Sequence, residues 1–415
     1  MEFNRLNKEI LAFCKELSEE ECRKLPFKKP VFIGIENAAL VEQASLYKQA
    51  KSKIPTWWER GDLVFPDRIA LEQASSQMLA SWKKTILPQS IDVLVDACAG
   101  LGVDSCFLGK DIPNLLLFEP NPGRADAIEH NLSFLRNQPF NLIRSEFSTA
   151  SLENLLFSEK EILVYADPDR RTQTGQRLAH WKETMPSVQD LYHFLKEKKT
   201  TLLVKFSPMD DVAEILAHLS GASQIWTVSI SNEVKEVLFL WQFGQPFSCS
   251  RYLAVDLNKS GAAQVEIPAK SEKLIQFSVP EPGMFLLDPW AAIRKGNQSV
   301  FLAQQRGWNI LSSEARLFCS VSEPIDFPGR VFIIVKVMDS VSSFAKGLKS
   351  KSLHVVSRNF PQSADDIKKK YQWEEKGDQY LFCYQNASGQ KVVLLTERME
   401  NLYSPTFRNP ISQEH

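Results

Sequence analysis

The rhythm of apolar and polar residues changes twice along the chain, and each change marks a different kind of structure. Up to about position 85 the apolar residues recur at helical spacing, as in Asn7-Lys8-Glu9-Ile10-Leu11-Ala12-Phe13-Cys14, and the stretches 37–51 and 69–84 repeat the pattern. From 91 to about 245, short apolar runs alternate with amphipathic stretches. The runs at 91–95, 115–119, 141–144, 161–166 and 201–206 predict strands, and 123–135, 187–197 and 210–219 predict helices among them. Two further runs, 223–230 and 234–241, lie close enough to form a hairpin. The alternation predicts a parallel sheet with helices on both faces, finished by an antiparallel pair.

Beyond about 246 the pattern mixes both periods. Strands are expected at 248–256 and 271–279 with a polar loop between them, and Glu281-Pro282-Gly283 marks a boundary. A helix at 291–306, a turn at Phe327-Pro328-Gly329, a strand at 330–338 and a helix at 341–348 follow. Then come a strand at 354–357, a helix at 363–371 and a hairpin whose arms, 380–384 and 391–396, flank Asn386-Ala387-Ser388-Gly389. This is an α+β domain with its own core.

One stretch carries most of the chemistry. The strand at 91–95 ends at Asp96 and gives way to Ala97-Cys98-Ala99-Gly100-Leu101-Gly102, after which Asp104 suits a helix N-cap or first turn. Strand, glycine turn and helix start form the unit that lets a backbone approach a nucleotide-like ligand. A dinucleotide site requires a third glycine, and Ser105 stands in its place. With Glu119-Pro120 closing the next strand, the order resembles the S-adenosylmethionine (SAM) site of class I methyltransferases, although Cys98 stands where many of them have the loop's first glycine. An ordinary strand-to-helix turn of another α/β protein is the plainer reading.

Ligands of open parallel sheets lie outside the carboxyl ends of the strands, so the residues there belong together. Glu119 can accept hydrogen bonds from both ribose hydroxyls, Glu146 can meet the adenine amino group, and Asp96 can hold the ammonium of the methionine end. Upstream, Leu71-Glu72-Gln73-Ala74-Ser75-Ser76 looks like the Gln- and Ser-containing helix start that covers that methionine end in many RNA methyltransferases. At the fourth strand end lies Asp167-Pro168-Asp169-Arg170-Arg171. Enzymes that methylate exocyclic base nitrogens have an acid or Asn, two prolines and an aromatic ring there. This chain keeps Asp167 and Pro168 and puts Arg170 where the ring would stack, a place a guanidinium can also fill. Asp167, Pro168 and Arg170 are therefore the catalytic candidates, with Asp167 also near the cofactor; an Arg–Asp cluster that fixes a loop is the alternative. Lys205, inside the fifth strand, stands near the site or in a structural ion pair.

Composition narrows the setting. A chain of 415 residues suits two or three domains. A net charge of −1 gives no global attraction to nucleic acid, so any such binding needs a local patch. Seven cysteines without paired spacing and six scattered histidines support neither a disulfide framework nor a metal site. The N-terminus has no hydrophobic signal core and no run is long enough to span a bilayer, so a reducing cytoplasm is the expected setting. The adjacent Trp57 and Trp58 either pack the helical region onto its neighbour or offer a stacking surface to a base. Arg358 and the run Lys368-Lys369-Lys370 form a candidate nucleic-acid patch, which nearby acids partly offset.

The carboxyl-terminal third carries a second resemblance. Ser357-Arg358-Asn359-Phe360, Gly377-Asp378-Gln379-Tyr380 and Thr396-Glu397-Arg398 look like the Thump-like domain that ends a bacterial group of class I methyltransferases. Glu281-Pro282-Gly283, Ala291-Ala292-Ile293 and Asp326-Phe327-Pro328-Gly329-Arg330 resemble that group's ferredoxin-like segment, and the motifs at 71–76, 96–104 and 167–171 match its amino-terminal part. The resemblance implies a helical region over 1–85, a methyltransferase domain over 86–279, a ferredoxin-like segment over 280–325 and a Thump-like domain over 326–415. It implies SAM as methyl donor and RNA as substrate class. A catalytically inactive RNA-binding protein of the same fold and a small-molecule methyltransferase are the alternatives.

Overall fold

The computed structural model describes residues 8–153, 160–168, 180–268, 277–296, 299–347 and 352–399. The chain divides into two compact units. The first holds Met1–Asp210, Leu219–Ser223 and Leu238–Ser248; the second holds Asp211–His218, Gln224–Val237 and Cys249–His415.

In the first unit, strands β1 (Val93–Asp96), β2 (Asn114–Phe118), β3 (Phe140–Ile143), β4 (Ile162–Ala166) and β5 (Thr201–Phe206) lie in the order β3-β2-β1-β4-β5, all parallel. Their residues in the middle of the sheet are buried on both faces, which is why they read as unbroken apolar runs. The end of β7 (Glu233–Gln242) follows β5 in the order.

Among the described residues six α-helices precede the sheet: α1 (Lys8–Glu16), α2 (Glu19–Lys24), α3 (Asn37–Lys53), α4 (Pro55–Arg60), α5 (Arg68–Gln73) and α6 (Gln77–Thr85). The single helix expected over 69–84 is two, because Ala74 turns to an extended ψ of 148° and Ser76 starts α6 by capping the Leu79 amide. Trp57 is fully buried in a core that joins α1, α3 and α4 to Leu101, Val103 and Ala127 of the sheet region. Trp58 carries the ammonium groups of Lys15 and Lys51 over its ring at 4.4 and 4.6 Å. The pair therefore packs the helical region, and the half-exposed ring already holds two cations.

In the second unit the start of β7 lies beside β6 (Gln224–Ile230). Ser231 and Asn232 between them both have positive φ, the two-residue turn that matches strand twist. β6 runs parallel to β8 (Arg251–Asn258), which pairs antiparallel with β9 (Gly261–Ile267). The polar loop expected there is thus a strand: Ala263, Val265 and Ile267 alternate inward between exposed residues. Of the strand expected over 271–279, residues 271–276 lie outside the described residues, and Phe277 forms an isolated bridge to Ile310.

A seven-stranded sheet completes this unit in the order β11-β12-β10-β13-β16-β15-β14. Its members are β10 (Phe285–Pro289), β11 (Asn309–Ser312), β12 (Leu317–Ser320), β13 (Gly329–Met338), β14 (His354–Arg358), β15 (Gln379–Gln385) and β16 (Lys391–Arg398). The β11–β12 hairpin has no counterpart among the expected elements. Phe332, Phe382 and Tyr384 pack with Leu286 and Leu317 on one face of the sheet, and Trp373, Ile367 and Leu353 with Val355 and Leu381 on the other.

Candidate active site

The loop after β1 is tied to both neighbouring strand ends. Ala97 donates its amide to the Tyr165 carbonyl at 2.9 Å, and Ala99 donates to that of Phe118 at 3.0 Å. Gly100 and Gly102 both have positive φ, 59° and 78°. A Cβ at Gly102 would stand 3.3 Å from Ile128 of helix α8 (Pro122–Leu135), whereas one at Gly100 would meet open space. The first glycine therefore borders room for a ligand and the second seats the helix α7 (Val103–Leu108) against the sheet.

Two carboxylates border this loop, each already oriented. Glu119, nearly fully buried, accepts the Gly100 amide on one oxygen and the Asn121 amide on the other, both at 2.9 Å. Burial pushes its pKa up, against the pull of Asn121, Arg124 and Gly100. Asp96 accepts the Cys98 amide at 3.0 Å and the Ser105 hydroxyl. Burial raises its pKa to about 7, the hydrogen bonds from Ser105 and Cys98 oppose the rise, and the charges of Asp104 and Asp167 add to it. Ser105, in the place of a third glycine, thus orients the acid that closes the strand.

Beneath the loop lies a buried polar network that sequence reasoning missed. Lys83 of α6 is fully buried, with its ammonium 2.7 Å from each oxygen of Asp104. Ser75 and Tyr165 donate to the same carboxylate at 2.8 and 2.7 Å. Burial pushes the Asp104 pKa up, yet Lys83 and then Lys205 outweigh it and hold the carboxyl below its ordinary value. Asp104 therefore joins α7 to α6 and β4 through its side chain. The signal in the sequence was Lys83 itself, four residues after Leu79 on the inward stripe of α6.

At the end of β4, Asp167 pairs with Lys205 of β5 and donates its amide to the Cys98 sulfur at 3.1 Å. Burial pushes the Cys98 thiol well above its ordinary pKa, with Asp96 and Asp167 adding, so it stays protonated and serves as a packing atom. Lys53, at the end of α3, donates to the Glu72 carbonyl, and its pKa falls to about 8 through burial and then the charge of Lys205. Pro168 is buried, and Arg170 lies outside the described residues.

The other candidates sit as follows. Gln73 ends α5 and is exposed, whereas Gln77 accepts from the amide and hydroxyl of Thr56 at 2.9 Å. Pro120 and Glu146 are exposed; beside Glu146, Phe147 packs its ring edge-on to Phe118 at 5.0 Å. Lys368 is engaged by Asp365 at 2.7 Å and Glu375 at 3.0 Å, while Lys369 and Lys370 are exposed on the same helix, Ala364–Tyr371. The structure does not gather Arg358 with these lysines: its side chain is mostly buried against Asp288. Among the described residues no helix is long and apolar enough to cross a membrane.

Comparison with known proteins agrees with this layout. Residues 329–398 match the family model described as THUMP domain-like. A solved structure from Porphyromonas gingivalis W83, provisionally named a methyltransferase, superposes with a TM-score of 0.82 at 23% identity, covering 94% of this chain and 98% of that one. That likeness establishes the fold over nearly the whole chain. Partial likenesses include yhhF from Escherichia coli, a provisional methyltransferase (TM-score 0.29, 14% identity, 44% of this chain and 92% of that one). Another is a provisional RNA methyltransferase from Pyrococcus horikoshii (TM-score 0.29, 15% identity, 42% and 88%). No curated protein matches. The chain thus shares the fold of that provisionally named methyltransferase, and its residues 329–398 are similar to the THUMP domain-like family.

Proposed function

We propose that the protein is a SAM-dependent methyltransferase acting on structured RNA. The observation that carries the reading is Glu119, whose two oxygens are each aimed by a backbone amide beside the open space at Gly100. Each oxygen keeps a second lone pair, so the carboxylate can accept from two vicinal hydroxyls without losing its orientation. The donor set suits the cofactor: Glu119 for the ribose, Asp96 for the ammonium, and Glu146, Ala97, Cys98, Gly102 and Pro120 around the rest. Gln73 and Asp104 act at its edges, Asp104 by fixing α7.

Bound there, SAM would supply a methyl group activated on a sulfonium. The chain's own contribution is position and charge. Asp167 orients the acceptor and takes its proton, and Lys205 holds that carboxylate in place through their ion pair. Pro168 and Arg170 complete the acceptor side. In this reading the THUMP domain-like segment, with Lys368, Lys369 and Lys370 on its surface, delivers RNA from the protein's cytoplasmic surroundings, and the divisions near 85, 279 and 325 separate the parts.

The test is calorimetry with SAM, followed by methyl transfer from labelled SAM to total RNA of a strain lacking the protein. Submillimolar binding that weakens at least tenfold in Asp96→Ala and Glu119→Ala is expected, with label entering RNA. Absence of SAM binding would refute the enzyme; binding without label in RNA would redirect it to another acceptor.

A further inference from the structure

Among its described residues, the second unit holds a charge imbalance around one buried acid. Asp288, at the end of β10, has a fully buried carboxylate. Arg294 and Arg358 reach its Oδ1 at 3.3 and 2.6 Å, and Arg330 reaches its Oδ2 through Nε at 3.1 Å and Nη2 at 2.6 Å. Three positive charges face one negative charge, an excess of two. The guanidinium-bearing side chains are only 17, 13 and 24% exposed for Arg294, Arg358 and Arg330. Around them, Glu314 and Asp211 offset Arg316 and Lys295, so among the described residues the excess at Asp288 stands.

The hydrogen bonding is incomplete as well. Arg294 also donates to Asn232 at 3.1 Å and to the Pro289 carbonyl, both uncharged. Arg358 Nη1 is buried with no hydrogen-bond partner among the described residues. Burial lowers the Arg294 pKa to about 9, partly restored by Asp288 and lowered further by Arg358 and Arg330. Burying cations in excess of their counter-charge is costly, so a bound anion would stabilise the cluster. Arg330 is also held in place, over the rings of Phe332 and Tyr380 at 5.5 and 5.7 Å, and His354 stacks on Tyr380 at 4.5 Å.

We propose that Arg294, Arg330 and Arg358 form a socket for a phosphate group, supplied in the working protein by a phosphorylated end of the RNA. A phosphomonoester carries about −1.5 to −2 charges near neutral pH and offers three acceptor oxygens. That matches an excess of two positive charges on planar donors, whereas an internal phosphodiester supplies half of it. The RNA source rests on the function proposed above; the phosphate chemistry does not.

The experiment titrates inorganic phosphate into the full chain and follows thermal unfolding, against chloride at matched ionic strength. A saturable, phosphate-specific rise in Tm is expected. Arg330→Gln and Arg294→Gln should weaken the apparent affinity at least tenfold, and Arg330→Lys less. Lys369→Gln with Lys370→Gln should leave it unchanged. No saturable rise in the unsubstituted chain overturns the socket, whatever the variants do, and so does a loss confined to the lysine variant. A second arm compares oligoribonucleotides with phosphorylated and hydroxyl ends. Tenfold tighter binding of a phosphorylated end, lost in Arg330→Gln, supports the RNA source, and equal binding overturns it. SAM calorimetry on the same samples separates failure of the socket from failure of the methyltransferase reading.

Discussion

The ammonium of Lys83 stands 2.7 Å from the carboxylate of Asp104, and the lysine side chain has no exposure at all. This pair joins a helix of the amino-terminal region to the first helix of the parallel sheet. Lys83→Met would leave Asp104 charged and buried, with only Ser75 and Tyr165 as donors. Breaking a buried pair from one side costs about 3–5 kcal/mol. Urea unfolding is expected to show a loss of that order, and the double variant Lys83→Met, Asp104→Asn should recover part of it. A loss under about 1 kcal/mol in the single variant would mean that water reaches the pair.

Asp96 makes the stability of the first unit depend on pH. Its pKa is raised to about 7 from an ordinary 3.8. A raised acid stabilises the fold when protonated, so its contribution is full below the ordinary value and is lost as pH rises through about 7. Between those limits the unsubstituted chain should lose up to about 1.4 kcal/mol per pH unit relative to Asp96→Asn. Equilibrium unfolding of both proteins between pH 5 and 8 checks the slope; parallel curves would show that Asp96 is ionised throughout.

The proposed role of Asp96 toward the cofactor adds a second readout. An ammonium beside the carboxylate favours its charged form, so SAM uptake at pH 6 should release protons. Calorimetry in two buffers of different ionisation enthalpy measures that release. Asp96→Asn should abolish it.

Gly100 and Gly102 differ in what a side chain would meet. Both are left-handed, a conformation that costs an alanine roughly 1–2 kcal/mol. Gly102→Ala must also displace Ile128, whereas Gly100→Ala points into open space. Gly102→Ala should therefore lower Tm more, and Gly100→Ala should weaken SAM binding more than its effect on Tm explains. The same order in both measurements would remove the distinction.

Lys205→Met tests the catalytic end. It takes the cation from Asp167 without touching the Glu119 corner. Methyl transfer should fall at least tenfold in kcat, while SAM affinity stays within about twofold. A fall in SAM affinity alone would place Lys205 with the cofactor instead.

The sheet was legible because parallel strands buried on both faces are written as apolar runs. β5 falls at 201–206 as expected, and β1, β2 and β4 within two residues of their expected places. The strand-end acids Asp96, Glu119 and Asp167 were legible for the same reason, since a charge after an apolar run marks its end. β9 was hidden because its first half, Gly261-Ala262-Ala263, lacks the branched residues that announce a strand. Lys83 and Asp288 were hidden because a charge inside an apolar pattern reads as an exception until its partner is known. Arg358 read as a surface base because its partner is far away in sequence.

That distance has a consequence for the order of events during synthesis. Asp288 leaves the ribosome 42 residues ahead of Arg330, and Arg358 emerges later still. Until then the acid has Arg294 but neither of its other two partners. The late arginines are expected to complete the setting of the earlier strand, so this unit should mature as a whole rather than strand by strand. Chains ended at position 340 should be cut readily by protease within 285–338, and chains ended at 399 should resist; equal resistance would show that the early strands hold without their late partners.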